Sequence, residues 1–413
     1  MKINNLFFFA ILFAAMGCSK EEEEKPTPVT PVYDATVTLR AGETYQVIQG
    51  FGCASAFTPP GTSAYTSAEF DRLFGSGAGQ VGLNIFRIRL ATDNTWRTTE
   101  LNYAKEAVQR GARIIASPWS PPASMKTNGN LVGGSLKPDS SAAFARYLND
   151  FALYMQANGA PLYAISVQNE PDYVPGYEGC GYTAEQMRDF IRDHGQTITA
   201  ARLMAPECAS NNQNYLNTIL SDPGAVANLD IAAGHIYGGG VTENQLAKSL
   251  GKEVWMTEHL DTNITYAANI NTALEIHDCL TKANFNAYIW WYGKRFYGPI
   301  GQDGLVTKRG FVLSQFARFI KPGSVRLGVG ANSRSDVFIS AYQHGTKRIL
   351  VAINTGPGDV NQTISIDTGT LSAMVPYTTT ELKNVEQGNP ITASGNSLKV
   401  LLPHRSITTL VEQ

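Results

Sequence analysis

The chain has no surplus of positive charge: 33 lysines and arginines stand against 35 aspartates and glutamates, a formal net charge of −2. That balance leaves no electrostatic footprint for nucleic acid. Beyond the first residues there is no apolar run long enough to cross a bilayer. Cysteine is scarce, five in 413 residues, and none has the close Cys/His spacing of a zinc site, so no metal is expected. No G-x-G-x-x-G loop follows the first candidate strand, which weakens a nucleotide-binding reading, and no cofactor is expected. What remains is a globular chain of 43% hydrophobic content, long enough for one large domain and a small one. Aromatics make up 10%, which suits sugar-stacking surfaces and equally an ordinary core.

The start carries information of its own. Met1-Lys2 leads into an apolar segment of secretory length, residues 6–15, and then Met16-Gly17-Cys18. A small residue directly before cysteine resembles a bacterial lipobox, with Ala15 where Leu is usual. It implies a lipoprotein signal peptide over residues 1–17, with Cys18 lipidated as the mature N-terminus. Ser19-Lys20-Glu21-Glu22-Glu23-Glu24 resembles the acidic tag that sends lipoproteins of Bacteroidetes-type bacteria to the outer face of the outer membrane. Pro26, Pro28 and Pro31 stiffen an extended tether over 18–33. The expectation is an exported, surface-exposed, monomeric lipoprotein that meets the membrane only through its lipid; simple secretion is the alternative. An exported chain can pair its remaining cysteines, Cys53, Cys180, Cys208 and Cys279. Cys180 and Cys208 could bridge neighbouring loops, or all four are plain buried thiols.

From about residue 46 apolar runs alternate with helical patterns. Candidate strands are 47–52, 85–90, 113–117, 164–167, 202–205, 231–235, 253–257 and 287–291. Between them Phe144, Tyr147, Leu148, Phe151 and Tyr154 share one helix face, with Asp139 or Ser140 as N-cap. Thr183 with Gln186 reads as a capping box. A further amphipathic segment at 310–321 stops at Pro322-Gly323. Eight strands alternating with helices predict an α/β fold, a (β/α)8 barrel over 46–321. Past 323 short strands split by Gly, Asn, Asp and Pro predict a small all-β side domain, a sandwich of 34–45 and 322–413, so that both chain ends meet in it.

Two apolar runs end abruptly in a glutamate: Ile165-Ser166-Val167-Gln168-Asn169-Glu170-Pro171 and Val254-Trp255-Met256-Thr257-Glu258-His259. In such barrels the working residues lie at the C-terminal ends of the strands. Glu170 follows the fourth strand and Glu258 the seventh, so the two face each other across the mouth. Two carboxyls flanking one bond are what glycoside hydrolysis needs; strand-end acids that are merely salt-bridged or solvated are the plain alternative. Arg89, Trp119, Tyr173, His235, Tyr237 and Trp291 reach the same end of the barrel. Any one of these aromatics alone is explained by packing; their common location makes them a sugar subsite.

These residues match a known pattern. Gln49-Gly50-Phe51-Gly52, Ser117-Pro118-Trp119-Ser120-Pro121-Pro122, Met125-Lys126-Thr127-Asn128-Gly129, Gln168-Asn169-Glu170-Pro171-Asp172-Tyr173 and Trp255-Met256-Thr257-Glu258 together resemble glycoside hydrolase family 30, across the whole mature chain. The resemblance implies a retaining hydrolase with Glu170 as acid/base, Glu258 as nucleophile, and Asn169 bonded to the sugar 2-hydroxyl. In the loop after the eighth strand, Trp290-Trp291-Tyr292-Gly293-Lys294-Arg295-Phe296-Tyr297-Gly298 resembles the glucuronoxylanase subfamily (subfamily 8). There an Arg and a Tyr two residues later hold the glucuronic acid branch, and the positions here are Arg295 and Tyr297. The implied activity is endo-cleavage of β-1,4-xylosyl linkages in glucuronoxylan. Two departures stand out: Leu260 and Asn263 occupy what look like the positions of a Tyr and a Ser that complete the acid pocket. They leave open a β-1,6-linked glucan or galactan as substrate, and, in another class, an inactive surface glycan-binding lipoprotein.

Overall fold

The computed structural model describes residues 30–55, 57–58 and 64–413. The expected signal peptide, Cys18 and all but the last residues of the tether lie outside these. Eight parallel strands close into a barrel: β1 (Gly50–Ala54), β2 (Ile85–Leu90), β3 (Arg113–Pro118), β4 (Leu162–Ser166), β5 (Arg202–Cys208), β6 (Ile231–His235), β7 (Glu253–Glu258) and β8 (Ala287–Tyr292). They are covered on both faces, by helices outside and by packed side chains within, which is why they read as apolar runs without alternation. Ile85, Ile115, Ala164, Met204, Ile231, Trp255 and Ile289 form the buried plug of the barrel.

Seven of the eight expected strands lie where the pattern put them; the first is displaced by three residues. Residues up to Val47 belong instead to a long strand of the side domain, Val32–Val47. The barrel takes up the chain at Gly50, whose φ is +141° and where a Cβ would sit 1.8 Å from Asn84 Oδ1. Only glycine fits there, and Gly50-Phe51-Gly52 is the price of bringing the chain in between two strands.

The side domain is a nine-stranded sheet. Its first strand, Val32–Val47, lies between Val325–Val329, to which it runs antiparallel, and Asp359–Ile366, to which it runs parallel. The apolar face of the sheet, including Val37, Leu39, Leu350, Val360, Ile364 and Leu410, forms a core of its own.

The helix signals hold with small offsets. Ser141–Ala157 starts after Ser140, which makes no side-chain cap bond. Ala184–His194 opens with the Thr183/Gln186 capping box, and the segment before Pro322 is helical over Lys308–Ala317. The Cys180–Cys208 bridge does not form: Cys53, Cys180, Cys208 and Cys279 are all free and buried. They are small apolar side chains in a core that needs no staple, and burial pushes the Cys180 thiol up to about 11.

One buried acid belongs to the frame. Glu100, on the helix Asn94–Gln109, is fully buried and accepts from Ser55 Oγ at 2.5 Å, which fastens the end of β1. Burial pushes its carboxyl up to about 8, against the opposing pull of Ser55 and Arg89. A carboxyl raised above its ordinary 4.5 contributes stability that is complete below about pH 4.5 and lost as pH rises through about 8. The isosteric variant Glu100→Gln does not titrate. Its melting temperature relative to the wild type should therefore rise steadily between pH 5 and 8; a difference independent of pH would mean that Glu100 is not held neutral.

Candidate active site

At the C-terminal mouth of the barrel lies a cavity of about 690 Å³, walled by Phe57, Trp119, Tyr173, Tyr177, Tyr237, Trp291 and Tyr292, with Asn169, Glu170 and Glu258 as its acidic and amide groups. Glu258 is the last residue of β7. Glu170 lies four residues past β4 and takes a left-handed backbone, φ +46°, which its amide supports by donating to the Glu207 carbonyl at 3.0 Å. Oxygens of the two carboxyls and a ring nitrogen of His235 lie within 4.8 Å of one another.

A guanidinium organises this group. Arg87 projects from β2 with no solvent exposure. Its Nη1 donates to Glu258 Oε2 at 2.6 Å, its Nη2 to Asn169 Oδ1 at 2.6 Å, and its Nε to Ser117 Oγ at 3.3 Å. Nη2 also lies 3.2 Å from Glu207 Oε1, too oblique for a hydrogen bond. Because Asn169 Oδ1 is taken, its amide NH2 is the end left for a ligand. The other oxygen of Glu258, Oε1, accepts from the Tyr237 hydroxyl at 2.9 Å. Burial and the Glu258 charge push that phenol well up, so it stays a donor. Trp119 and Trp291 pack at 5.7 Å and flank Arg87, whose guanidinium carbon is 5.0 Å from the first ring and 5.8 Å from the second.

His235, at the end of β6, is completely buried behind Glu170, with Nδ1 3.2 Å from Glu170 Oε1. Burial alone would lower its pKa, but Glu258, Glu170 and Glu207 around it outweigh burial and push it up to about 9. Glu170, His235 and Glu258 bring enough donor atoms together to hold a cation. Arg87 and a protonated imidazole already supply the positive charge there, so the electrostatics oppose a metal.

Of the residues singled out from sequence, Asn169, Trp119, Glu170, Tyr173, Tyr237, Glu258 and Trp291 therefore converge on one cavity. His235 backs it without lining it. Arg89 does neither. It is two residues beyond Arg87 on the same strand, pairs with Glu178 at 2.5 Å, and lies 4.4 Å beneath the Phe57 ring. Its charge braces two rim loops. Arg295 and Tyr297 stand just outside the cavity wall, Arg295 stacked 4.3 Å over Tyr292 and Tyr297 largely buried. Among the described residues no carboxylate lies within salt-bridge distance of Arg295, whereas the neighbouring Lys294 is tied to Glu69 at 2.8 Å. Leu260 lines the cavity, and Asn263 spends its side chain on the turn, accepting from Thr265 N–H at 3.0 Å.

Sequence reasoning missed Arg87, Glu207, Phe57, Tyr177 and Tyr292. The Arg-Ile-Arg spacing of β2 was the available signal for Arg87, since only one of its two arginines had been given a role.

Residues 78–258 match the model of the glycosyl hydrolase family 30 TIM-barrel domain. A glucuronoxylanase XynC of Bacillus subtilis (strain 168) is 38% identical over 400 residues, 93% of each chain. Among solved structures, the glycoside hydrolase family 30 subfamily 8 xylanase Xyn30A from Clostridium acetobutylicum superposes with a TM-score of 0.86 at 36% identity, covering 92% of this chain and 99% of that one. A GH30 endoxylanase from Clostridium papyrosolvens gives 0.83 at 36% identity, covering 92% and 100%.

The Arg87 geometry carries a stability consequence. Arg87→Met keeps most of the side-chain length but leaves Glu207 and Glu258 buried without their cation, which should cost about 3–5 kcal/mol in denaturant unfolding at pH 7. A loss below about 1 kcal/mol would mean that the carboxylates do not depend on it.

Proposed function

The chain belongs to glycoside hydrolase family 30, and from that premise we propose that it is a retaining endo-xylanase that cuts β-1,4-xylosyl linkages of glucuronoxylan and is directed by the glucuronic acid branch. The observation that carries the mechanism is the separation of Glu170 and Glu258. One oxygen from each lies within 4.8 Å of the other, which accords with the carboxyl spacing of about 5–5.5 Å in retaining enzymes and is shorter than the about 6.5–9.5 Å of an inverting pair.

Glu258, fixed by Arg87 and Tyr237, attacks the anomeric carbon while Glu170 gives its proton to the departing glycosidic oxygen. The covalent glycosyl-enzyme is then opened by water, whose proton returns to Glu170. Charge count favours this division. Arg87 and protonated His235 balance the carboxylates of Glu207 and Glu258, so the buried group is neutral when Glu170 carries its proton. The amide NH2 of Asn169, turned outward by the Arg87 bond, is the donor for the sugar 2-hydroxyl. Trp119, Trp291, Tyr173 and Tyr177 offer faces for sugar rings.

The branch specificity rests on Arg295, a half-buried guanidinium over the Tyr292 ring at 4.3 Å, with Tyr297 beside it. A fork of parallel hydrogen bonds to a uronate suits that geometry. Leu260, where the subfamily carries a donor, leaves the acid pocket with one hydrogen bond fewer. The enzyme's expected workplace is the outer surface of the cell, tethered through Cys18.

A product profile by mass spectrometry tests the reading. Glucuronoxylan should yield aldouronic acids with one glucuronosyl branch each, and arabinoxylan without uronic acid should yield little. Release from both would leave a xylanase without acid recognition. Silence on both would turn the search to β-1,6-linked glycans. Glu258→Gln should abolish turnover yet keep glycan affinity, and a wild type that binds without any turnover would instead be a glycan-binding protein. Arg295→Ala should lower kcat/KM on glucuronoxylan more than about tenfold, since a charge-assisted pair is worth roughly 1.5–3 kcal/mol. Unchanged activity would remove Arg295 from the specificity role and leave the catalytic pair untouched.

A further inference from the structure

A third glutamate stands behind the two that face the cavity. Glu207, on β5, has no solvent exposure and does not line the cavity. Its backbone is left-handed, φ +58°, inside a barrel strand where such a conformation costs a non-glycine residue energy. The carboxylate is fully buried, yet neither oxygen forms a well-aligned hydrogen bond with a protein group. Two buried cationic groups flank it instead: Arg87 Nη2 at 3.2 Å and His235 Nε2 at 3.9 Å from Oε1. Such an arrangement is costly as packing and economical only as a fixed charge.

His235 lies between this carboxylate and the reacting ones. Its Nδ1 meets Glu170 Oε1 at 3.2 Å, while Nε2 lies near Glu207 and 4.0 Å from Glu258 Oε2. We propose that Glu207 is a positioning residue of the hydrolase reaction: it holds the His235 imidazole protonated, so that Nδ1–H donates to Oε1 of Glu170 and the acidic proton is left on the other oxygen, for the leaving group. The proposal rests on the retaining reading above and adds to it the residue that sets the proton inventory.

The groups facing this pair are few. Arg87 comes from β2, the Ser117 hydroxyl from β3, Glu170 from beyond β4, Tyr237 from beyond β6 and Glu258 from β7; Asp172, bonded to the Ala209 amide at 2.9 Å, is the next acid beyond the strand end. Counted over Arg87, His235, Glu207 and Glu258 alone, the charges cancel. Removing the negative charge of Glu207 makes every remaining proton of the His235–Glu170 pair easier to lose, whichever of the two residues carries it. The direction of the effect is therefore fixed. A neighbouring charge at this range moves a buried titration by about 1–3 pH units.

The test has two arms. In the first, histidine-labelled protein without substrate is titrated by NMR, the His235 signal being identified by its loss in His235→Asn. The wild-type ring should still be protonated above pH 7.5, against an ordinary value near 6.5, and in Glu207→Gln the midpoint should fall by at least about one pH unit. In the second, the alkaline limb of kcat/KM on glucuronoxylan should move to lower pH by a similar amount, with KM changed less than about twofold. Glu207→Asp, which keeps the charge but draws it back, should move both less and in the same direction. A wild-type ring that titrates below pH 7.5 overturns the proposal. So does a Glu207→Gln enzyme slowed equally at every pH with the His235 midpoint in place, since that is the signature of a structural role. If Glu207→Gln does not fold, the wild-type and Glu207→Asp titrations decide. If the wild type leaves glucuronoxylan intact, the substrate reading fails and the NMR arm alone judges Glu207.

Discussion

Everything at the barrel mouth depends on one guanidinium with no access to water. Arg87 reaches from β2 to Ser117 on β3, Asn169 beyond β4, Glu207 on β5 and Glu258 on β7. A single planar group thus fixes three side chains by hydrogen bonds and lies 3.2 Å from a fourth, Glu207. Lysine could not substitute, because a point charge on a flexible stem cannot hold three partners at fixed angles. The carboxylate proposed as nucleophile is largely buried and is held in place by that cation at 2.6 Å. Charge and geometry are supplied together, and neither is of use alone.

The rest of the mouth is arranged around that group in two layers. Behind it, His235 and Glu207 complete a buried cluster whose charges nearly cancel. Before it, Trp119, Trp291, Tyr237 and Tyr292 form a wall that keeps the cluster dry and offers flat faces to a ligand. Arg89 serves the outer layer, bracing Phe57 and Glu178 on two rim loops and Trp96 on the helix Asn94–Gln109. The two arginines of β2 thus do opposite work, one within the barrel and one at its rim.

Much of this was legible in the sequence, because a parallel barrel announces itself through spacing. Apolar runs recur with helices between them, and the acids that end two of those runs can only lie at the mouth. What could not be read has identifiable physical causes. Arg87 and Arg89 stand two apart on one strand and so project from the same face, and nothing in Ile85-Phe86-Arg87-Ile88-Arg89-Leu90 tells which of them lies at the height of the carboxylates. Glu207 sits in Met204-Ala205-Pro206-Glu207-Cys208, where nothing local distinguishes a strained buried acid from a solvated one. The start of β1 was misplaced because one extended stretch serves two sheets, and only the close approach of Asn84 to Gly50 marks the change. The cysteines were open between bridge and thiol because spacing does not encode distance.

The place of Val32–Val47 inside the side sheet has a consequence for how the molecule comes to be. Its partners are Val325–Val329 and Asp359–Ile366, and beyond the second lies Ser397–Leu402, near the end of the chain. Val32–Val47 is made before the whole barrel and so stays with both edges open until residues 325–329 and 359–366 have followed it. Contacts so distant in sequence form late and slowly. The barrel can close around its own local β/α units while the side sheet cannot, so the molecule is sealed last at the seam where its beginning meets its end. A chain of this topology remains threadable, with its first strand unpaired, for most of its synthesis.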